Sequence, residues 1–134
     1  MDLKNTTKMS QDTVADGLNM IANAKRAGKE KVVIGRISNL LIEILKIMKQ
    51  KGAIKKYKID SKEKSVEITI DKMSTCKAIK PRFTIQISQI EKYQRRYLPA
   101  RDIGTLIIST NKGLVTHEEA LTENIGGCLI AYFY

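Results

Sequence analysis

The chain has 134 residues, 43% of them hydrophobic, a balance that excludes wholesale disorder and suits one compact unit or two small lobes sharing an interface. Lys and Arg total 24 against 14 for Asp and Glu, a formal net charge of +10 that directs attention to a polyanionic partner: nucleic acid, an anionic membrane surface or an acidic protein. No apolar run approaches the roughly 20 residues of a membrane span, residues 1–7 have neither the apolar stretch of a secretory signal nor the Arg-rich character of a transit peptide, and Cys76 and Cys128 stand apart without CxxC spacing, as in a reducing compartment.

Residues 1–9 read as a loose polar arm. Val14, Leu18, Ile21 and Ala22 then recur at helical spacing, predicting a helix over about 12–27, with Thr13 and Asp16 at its start and Gly28 as its stop. Lys25, Arg26, Lys29 and Lys31 crowd the C-terminal end, where the helix dipole favours cations. Val32, Val33 and Ile34 form a short strand. Ser38 caps a second helix that buries Leu41, Ile44, Leu45 and Met48, runs to about Lys51 and stops at Gly52. Two strands follow, one carrying Ile54, Tyr57 and Ile59, the other Val66, Ile68 and Ile70, joined by the polar loop 60–64.

A second lobe is expected from Met73. Phe83, Ile85 and Ile87 alternate and predict a strand over 83–87, preceded by a basic turn at Lys80, Pro81 and Arg82. Ser88 with Glu91 has capping-box spacing and opens a basic helix or turn over 92–97, which Pro99 ends. Leu106, Ile107 and Ile108 read as a buried strand and Leu114 and Val115 as another. Thr116 with Glu119 forms a second capping box, and the short helix it opens is closed by Gly126 and Gly127 before a final strand over 129–134. The fold class is α/β (α+β) in two small lobes: residues 1–72 of order α-β-α-β-β, and residues 73–134 mostly β with short helices.

Little here resembles catalytic chemistry. His117 is the single histidine and stands at the first position of a capped helix, where it reads as a solvated or contact residue. Cys76 reads as a buried, neutral thiol. Glu118 and Glu119 sit in a first helical turn, where the dipole favours them. There is no glycine-rich nucleotide motif and no zinc-ligand spacing. No catalytic residue, metal or cofactor is assigned. The alternative is an enzyme that uses His117 with Cys128 or Glu118, and it requires those groups to converge in space.

The segment Ser109, Thr110, Asn111, Lys112, Gly113 carries the most chemistry. Asn111 and Gly113 suit a β-hairpin turn. Two consecutive hydroxyls at the end of an apolar strand need partners, and a shallow RNA minor groove offers 2′-hydroxyls and base edges. Gly126 and Gly127 stop a helix or let the backbone approach a phosphate or base.

These residues resemble, in order and spacing, the universal small-subunit ribosomal protein eight family in its archaeal and eukaryotic cytosolic branch. The resemblance runs from about Asp12 to Tyr134. It rests on Ser109-Thr110-x-x-Gly113, the following Thr116-His117-Glu118-Glu119-Ala120, Gly126-Gly127, and the aromatic end Tyr132-Phe133-Tyr134. Lys80-Pro81-Arg82-Phe83, Tyr97-Leu98-Pro99-Ala100-Arg101 and, in the first helix, Ala15, Asp16, Leu18, Ile21, Asn23 and Ala24 add to it. The resemblance implies a structural protein of the small subunit, cytoplasmic, that holds the central domain of small-subunit ribosomal RNA from the minor-groove side. Neighbouring ribosomal proteins would be its other partners, with no membrane and no DNA. By the same resemblance Ser109, Thr110, Gly113, Gly126 and Gly127 are the main RNA contacts, with Asn111 and Lys112 in the same turn. Asn23, Lys25 and Ser38 support them from the first lobe, and the cations Lys80 and Arg82 add charge. The chain departs from the family pattern at Arg36 and Asn39, which stand where a proline and a lysine are common near the second helix. It departs again at Cys128, where a long polar residue is common, and in a short loop at 60–65. The alternative is a basic RNA or protein adaptor outside the ribosome, docking through Tyr132 to Tyr134.

Overall fold

The computed structural model describes residues 13–62, 64–100 and 103–134, and only the backbone of Lys80 and Pro81. The helix start at Asp12, Glu63, Arg101 and the Lys80 side chain therefore lie outside the described residues.

The first half runs α1 (Thr13–Arg26), β1 (Lys31–Ile34), α2 (Asn39–Gln50), β2 (Ile54–Asp60), β3 (Ser65–Ile70), the order expected. α1 has Asp16 in its first turn and Lys25 and Arg26 in its last, both favourable to the dipole. It ends at Gly28 with the Lys29 amide donating to Ala24 O at 2.9 Å. α2 begins where Ser38 Oγ accepts the Leu41 amide at 3.2 Å. The strands form an antiparallel sheet of order β1-β3-β2. Its register sets Ile68 between Val32 and Tyr57, and Val66 between Ile34 and Ile59. One face is covered by both helices, so Leu18, Ile21, Leu41, Ile44, Leu45, Met48, Ile34 and Ile68 are buried together. Each contributes about 1.5–3 kcal/mol by leaving water.

The second half runs β4 (Cys76–Ile85), a 3-10 turn (Ile87–Gln89), α3 (Ile90–Tyr97), β5 (Thr105–Thr110), β6 (Gly113–Thr116), α4 (His117–Glu123) and β7 (Gly127–Phe133). Its antiparallel sheet has the order β4-β7-β5-β6. One face carries Ile79, Ile85, Leu106, Ile108, Val115 and Leu129 and meets Ile90, Leu98 and Ala120 of the C-terminal half. Cys76, Ile107, Ile130, Ala131 and Phe133 instead join the core of the first half. The two sheets thus share a core. Backbone bonds reinforce the junction: Ser74 and Thr75 amides donate to Tyr134 O at 2.6 and 3.0 Å, and the Tyr134 amide donates back to Thr75 O at 3.0 Å.

Three expectations need correction. Lys80, Pro81 and Arg82 are not a turn but part of β4, which starts at Cys76 rather than Phe83. Pro81 has no N–H to give, and it is accommodated because β4 is an edge strand whose pairing with β7 is irregular between Ala78 and Phe83. Ser88 and Glu91 do not form the cap before α3. α3 has no side-chain cap of its own; a 3-10 turn precedes it, and the capping box stands at the start of that turn, where Gln89 Oε1 accepts the Gln86 amide at 2.9 Å. Gly126 and Gly127 do not close α4. Asn124 closes it in the left-handed conformation (φ 60°), and the Ile125 amide donates to Ala120 O at 3.0 Å. The glycines belong to the entry of β7, which begins two residues before the expected Leu129.

Candidate nucleic-acid interface

The β5–β6 hairpin is built by a change of composition along β5. Leu106, Ile107 and Ile108 are buried on both faces of the sheet, and Ser109 and Thr110 are half-buried as the strand leaves the core. Thr110 pairs with Gly113 across the turn. Gly113 takes φ +107°, whereas Asn111 and Lys112 keep negative φ, as in a type I turn followed by a glycine bulge. Asn111 is therefore not required for its tolerance of the left-handed region. Thr110 locks the turn: its hydroxyl donates to Gly113 O at 2.9 Å and accepts the Lys112 amide at 3.1 Å. Thr110 thus finds the partners it needs inside the hairpin. The Ser109 hydroxyl has no hydrogen-bond partner among the described residues.

The glycine pair is demanded by the sheet beside it. A Cβ on Gly126 would lie 2.7 Å from Ile85 O, and a Cβ on Gly127 would strike Ser109 O and stand 2.9 Å from Ile108 Cγ2. β7 can enter between β4 and β5 at this point only with bare backbone. Register sets Ile85 opposite Gly127, and Cys128 opposite Ser109. Ser109, Thr110, Asn111, Lys112, Gly113, Gly126 and Gly127 therefore meet at one end of the second sheet. Gln86 lies beside Gly126 and is exposed, so it belongs to the same end. Nothing in its sequence neighbourhood marks it, since its place depends on where β7 enters. Lys112 Nζ is 3.9 Å from Glu123, an exposed pair of little weight that leaves the cation available.

The supporting residues are distributed elsewhere. α1 meets β4 at the opposite end of the sheet, where Cys76 Sγ donates to Leu18 O at 3.2 Å and Cys76 lies opposite Phe133. Asn23 and Lys25 are on that helix and are not brought to the hairpin. Lys25 Nζ donates to Asp71 O at 2.9 Å, tying α1 to the end of β3. Asn23 is exposed and its Oδ1 accepts from Arg26 at 3.4 Å. α2 packs along β6, and Lys51 at its C-terminal end meets Glu118 at 3.3 Å, which points its N-terminal end, with Ser38, toward the hairpin. The Ser38 hydroxyl is engaged as a cap. Arg82 is exposed on edge strand β4.

His117 is not the solvated or contact residue expected from its helix position. It is 3% exposed, and its Nδ1 accepts the Leu106 amide at 3.1 Å. β6 turns inward as α4 begins, so the first helical side chain closes the core. Burial lowers its pKa below the usual 6.5, opposed by Glu118 and helped by Lys51. His117 and Cys128 do not converge, because His117 is spent on Leu106 while Cys128 lies further along β5, opposite Ser109. Cys76 is buried as expected, and burial pushes its thiol up to about 12. Among the described residues no group of three or more His, Cys, Asp or Glu side chains could hold a metal ion, and no helix is long and apolar enough to cross a membrane.

Taken together, fold and site define a small basic α+β protein that presents a polar hairpin and bare glycine backbone at one sheet end. The model of the family described as ribosomal protein S8 matches residues 12–134, so the chain belongs to that family. It is 46% identical over 129 residues to the small ribosomal subunit protein uS8 of Nanoarchaeum equitans, an alignment covering 94% of this chain and 100% of the relative. Over the same shares of both chains it is 40% identical to the protein of that name from Picrophilus torridus and 37% identical to that from Archaeoglobus fulgidus.

Proposed function

We propose that the protein is a structural constituent of the small ribosomal subunit, in the cytoplasm, where it binds and stabilises the central domain of small-subunit ribosomal RNA during assembly and translation. The family match over residues 12–134 is the observation that carries this proposal. In it, residues 73–134 make the main contacts and residues 1–72 the supporting ones. Ser109, Asn111 and Lys112 meet the RNA, Thr110 and Gly113 hold the turn in shape, and Gly126 and Gly127 let the backbone come close. Arg82 and Lys80 add charge at the edge strand. Asn23, Lys25 and Ser38 contact neighbouring RNA from the first lobe, with Lys25 and Ser38 also holding their helices in place. Neighbouring ribosomal proteins are the other partners.

The mechanism divides into two parts. Lys and Arg supply an attraction to phosphates that weakens with salt. The Ser109 hydroxyl and the glycine backbone supply recognition of shape and of 2′-hydroxyls in the minor groove. The test is binding to a central-domain ribosomal RNA fragment, to a scrambled hairpin of equal length and to the all-deoxy form of the fragment, over a salt series. A preference for the fragment that survives salt and falls on Ser109→Ala is expected. Equal, salt-labile binding to all three would leave only a basic adaptor.

A further inference from the structure

A second feature lies away from the hairpin. Phe83, Tyr93, Tyr97, Tyr132 and Tyr134 form a continuous row of rings, with successive centroids 5.1, 6.4, 5.2 and 6.2 Å apart. The row joins residues from β4, α3 and β7, and Tyr134 just after β7. All five rings are half-buried against the core of the second sheet, so each keeps an accessible part. Beside the row a groove of about 410 Å³ opens between α1 and α3, lined by Ala15, Asn19, Lys77, Ile79, Tyr97 and Tyr132. That volume is in the range of sites for small planar ligands.

The chemistry of the groove is specific. Tyr97 and Tyr132 give an aromatic wall, Ala15 and Ile79 give apolar contacts, and the exposed Asn19 offers an amide. Lys77 lies directly opposite Tyr132 in the β4–β7 register. Among the described residues no acidic side chain lines the groove. Lys92 sits 5.6 Å over the Tyr93 ring and Arg96 5.6 Å over the Tyr97 ring. None of Lys77, Lys92, Arg95 and Arg96 makes an ion pair among the described residues. Rings interleaved with cations match the two halves of a nucleotide, a flat base and a phosphate. An apolar peptide would use the wall but leave the cations without partners.

We propose that this groove is a second RNA site, taking an unpaired nucleotide whose base packs against Tyr97 and Tyr132. The base edge meets Asn19, and the phosphates on either side meet Lys77 and the cations of α3. The site would read single-stranded or bulged RNA, whereas the hairpin end reads a groove. It rests on the proposed RNA-binding role for its class of ligand, but not on the hairpin.

The protein supplies its own reporter. It has no tryptophan and five tyrosines, and all but Tyr57 lie in the row. The full chain is titrated with a short oligoadenylate and with an abasic oligomer of equal length and charge, following tyrosine emission. The base-bearing strand should bind about tenfold tighter, the scale of one stacked base, and quench the emission. Tyr132→Leu, with folding checked by circular dichroism, should abolish both the advantage and most of the quenching. Asn19→Ala, an exposed position, should lower the affinity several-fold, and it carries the test if Tyr132→Leu does not fold. Equal binding of the two oligomers overturns the proposal. So does an advantage that survives in folded Tyr132→Leu, one that is undiminished in Asn19→Ala, or tighter quenching by an apolar peptide than by the oligoadenylate. Ser109→Ala should leave oligoadenylate binding unchanged while it weakens the ribosomal fragment, so failure of either site shows separately.

Discussion

The β2–β3 and β5–β6 hairpins both reverse an antiparallel ladder, but they depend on their surroundings to different degrees. In β2–β3 the turn is local and solvated. Asp60 accepts the Lys62 amide at 3.0 Å, the non-glycine Lys64 sits at φ 53°, and Ile59 at its base is 42% exposed. In β5–β6 the turn is also locked locally, by Thr110, but its supporting strand is sandwiched. Ser109 has the backbone of Gly127 directly against its carbonyl, and Ile108 is fully buried. A left-handed lysine is tolerated where the turn is exposed. A Cβ on Gly127 is not tolerated where two strands close on one another.

The largest break of this contrast is expected from Gly127→Ala. The new Cβ meets backbone, which cannot rotate away, so the variant should lose about 3 kcal/mol in chemical denaturation, the upper range for overpacking. An unchanged midpoint would mean that β7 enters the sheet elsewhere. Next comes Ser109→Ala. Stability should stay within about 0.5 kcal/mol because the hydroxyl has no partner among the described residues. Affinity for the ribosomal RNA fragment should fall by about 1–3 kcal/mol if the hydroxyl is paired in the complex. A stability loss without an affinity loss would reassign Ser109 to the fold.

Gly113→Ala isolates the backbone of the second turn. There is open space around a new Cβ, so the cost is that of φ +107° alone, about 1–2 kcal/mol by thermal or chemical denaturation. The matching change in the first turn, Lys64→Gly, should stabilise by about 0.5 kcal/mol, since it relieves a left-handed non-glycine residue. If both changes destabilise equally, the two turns are not different in kind.

The least effect comes from pH and touches only the far end of the β5–β6 unit. Because burial lowers the His117 pKa, the unfolded chain binds a proton there first. The stability of the neutral form is fully present above pH 6.5 and declines as pH falls below it, toward the lower folded value. Denaturation at pH 7.5 and at pH 5.5 should show a difference that shrinks in His117→Gln, and an identical difference in the variant would remove His117 from the account.

Much of the fold was legible along the chain because its signals are local. Helical spacing of Val14, Leu18 and Ile21, the Ser38 cap, the Thr116–Glu119 capping box and the alternation of Val66, Ile68 and Ile70 each depend on residues a turn or a strand apart. The hairpin itself was also legible, since Ser109 to Gly113 carry a turn signal between two apolar strands. Other features misled for a common reason. Pro81 signals a turn until β4 is known to be an edge strand. Gly126 and Gly127 resemble a helix stop until β7 is seen to squeeze between β4 and β5. His117 resembles a surface helix start until β6 turns it inward to Leu106.

The sequence by itself determined the element order, the basic character and the family resemblance, because propensity, capping, net charge and motif spacing are properties of the chain. Only the tertiary structure decided which hydroxyl of the Ser109–Thr110 pair is used inside the hairpin, why two glycines must be adjacent, and that rings far apart in the chain align beside cations. Those facts depend on how strands far apart in the chain approach one another, and backbone contact and side-chain satisfaction exist only after that approach.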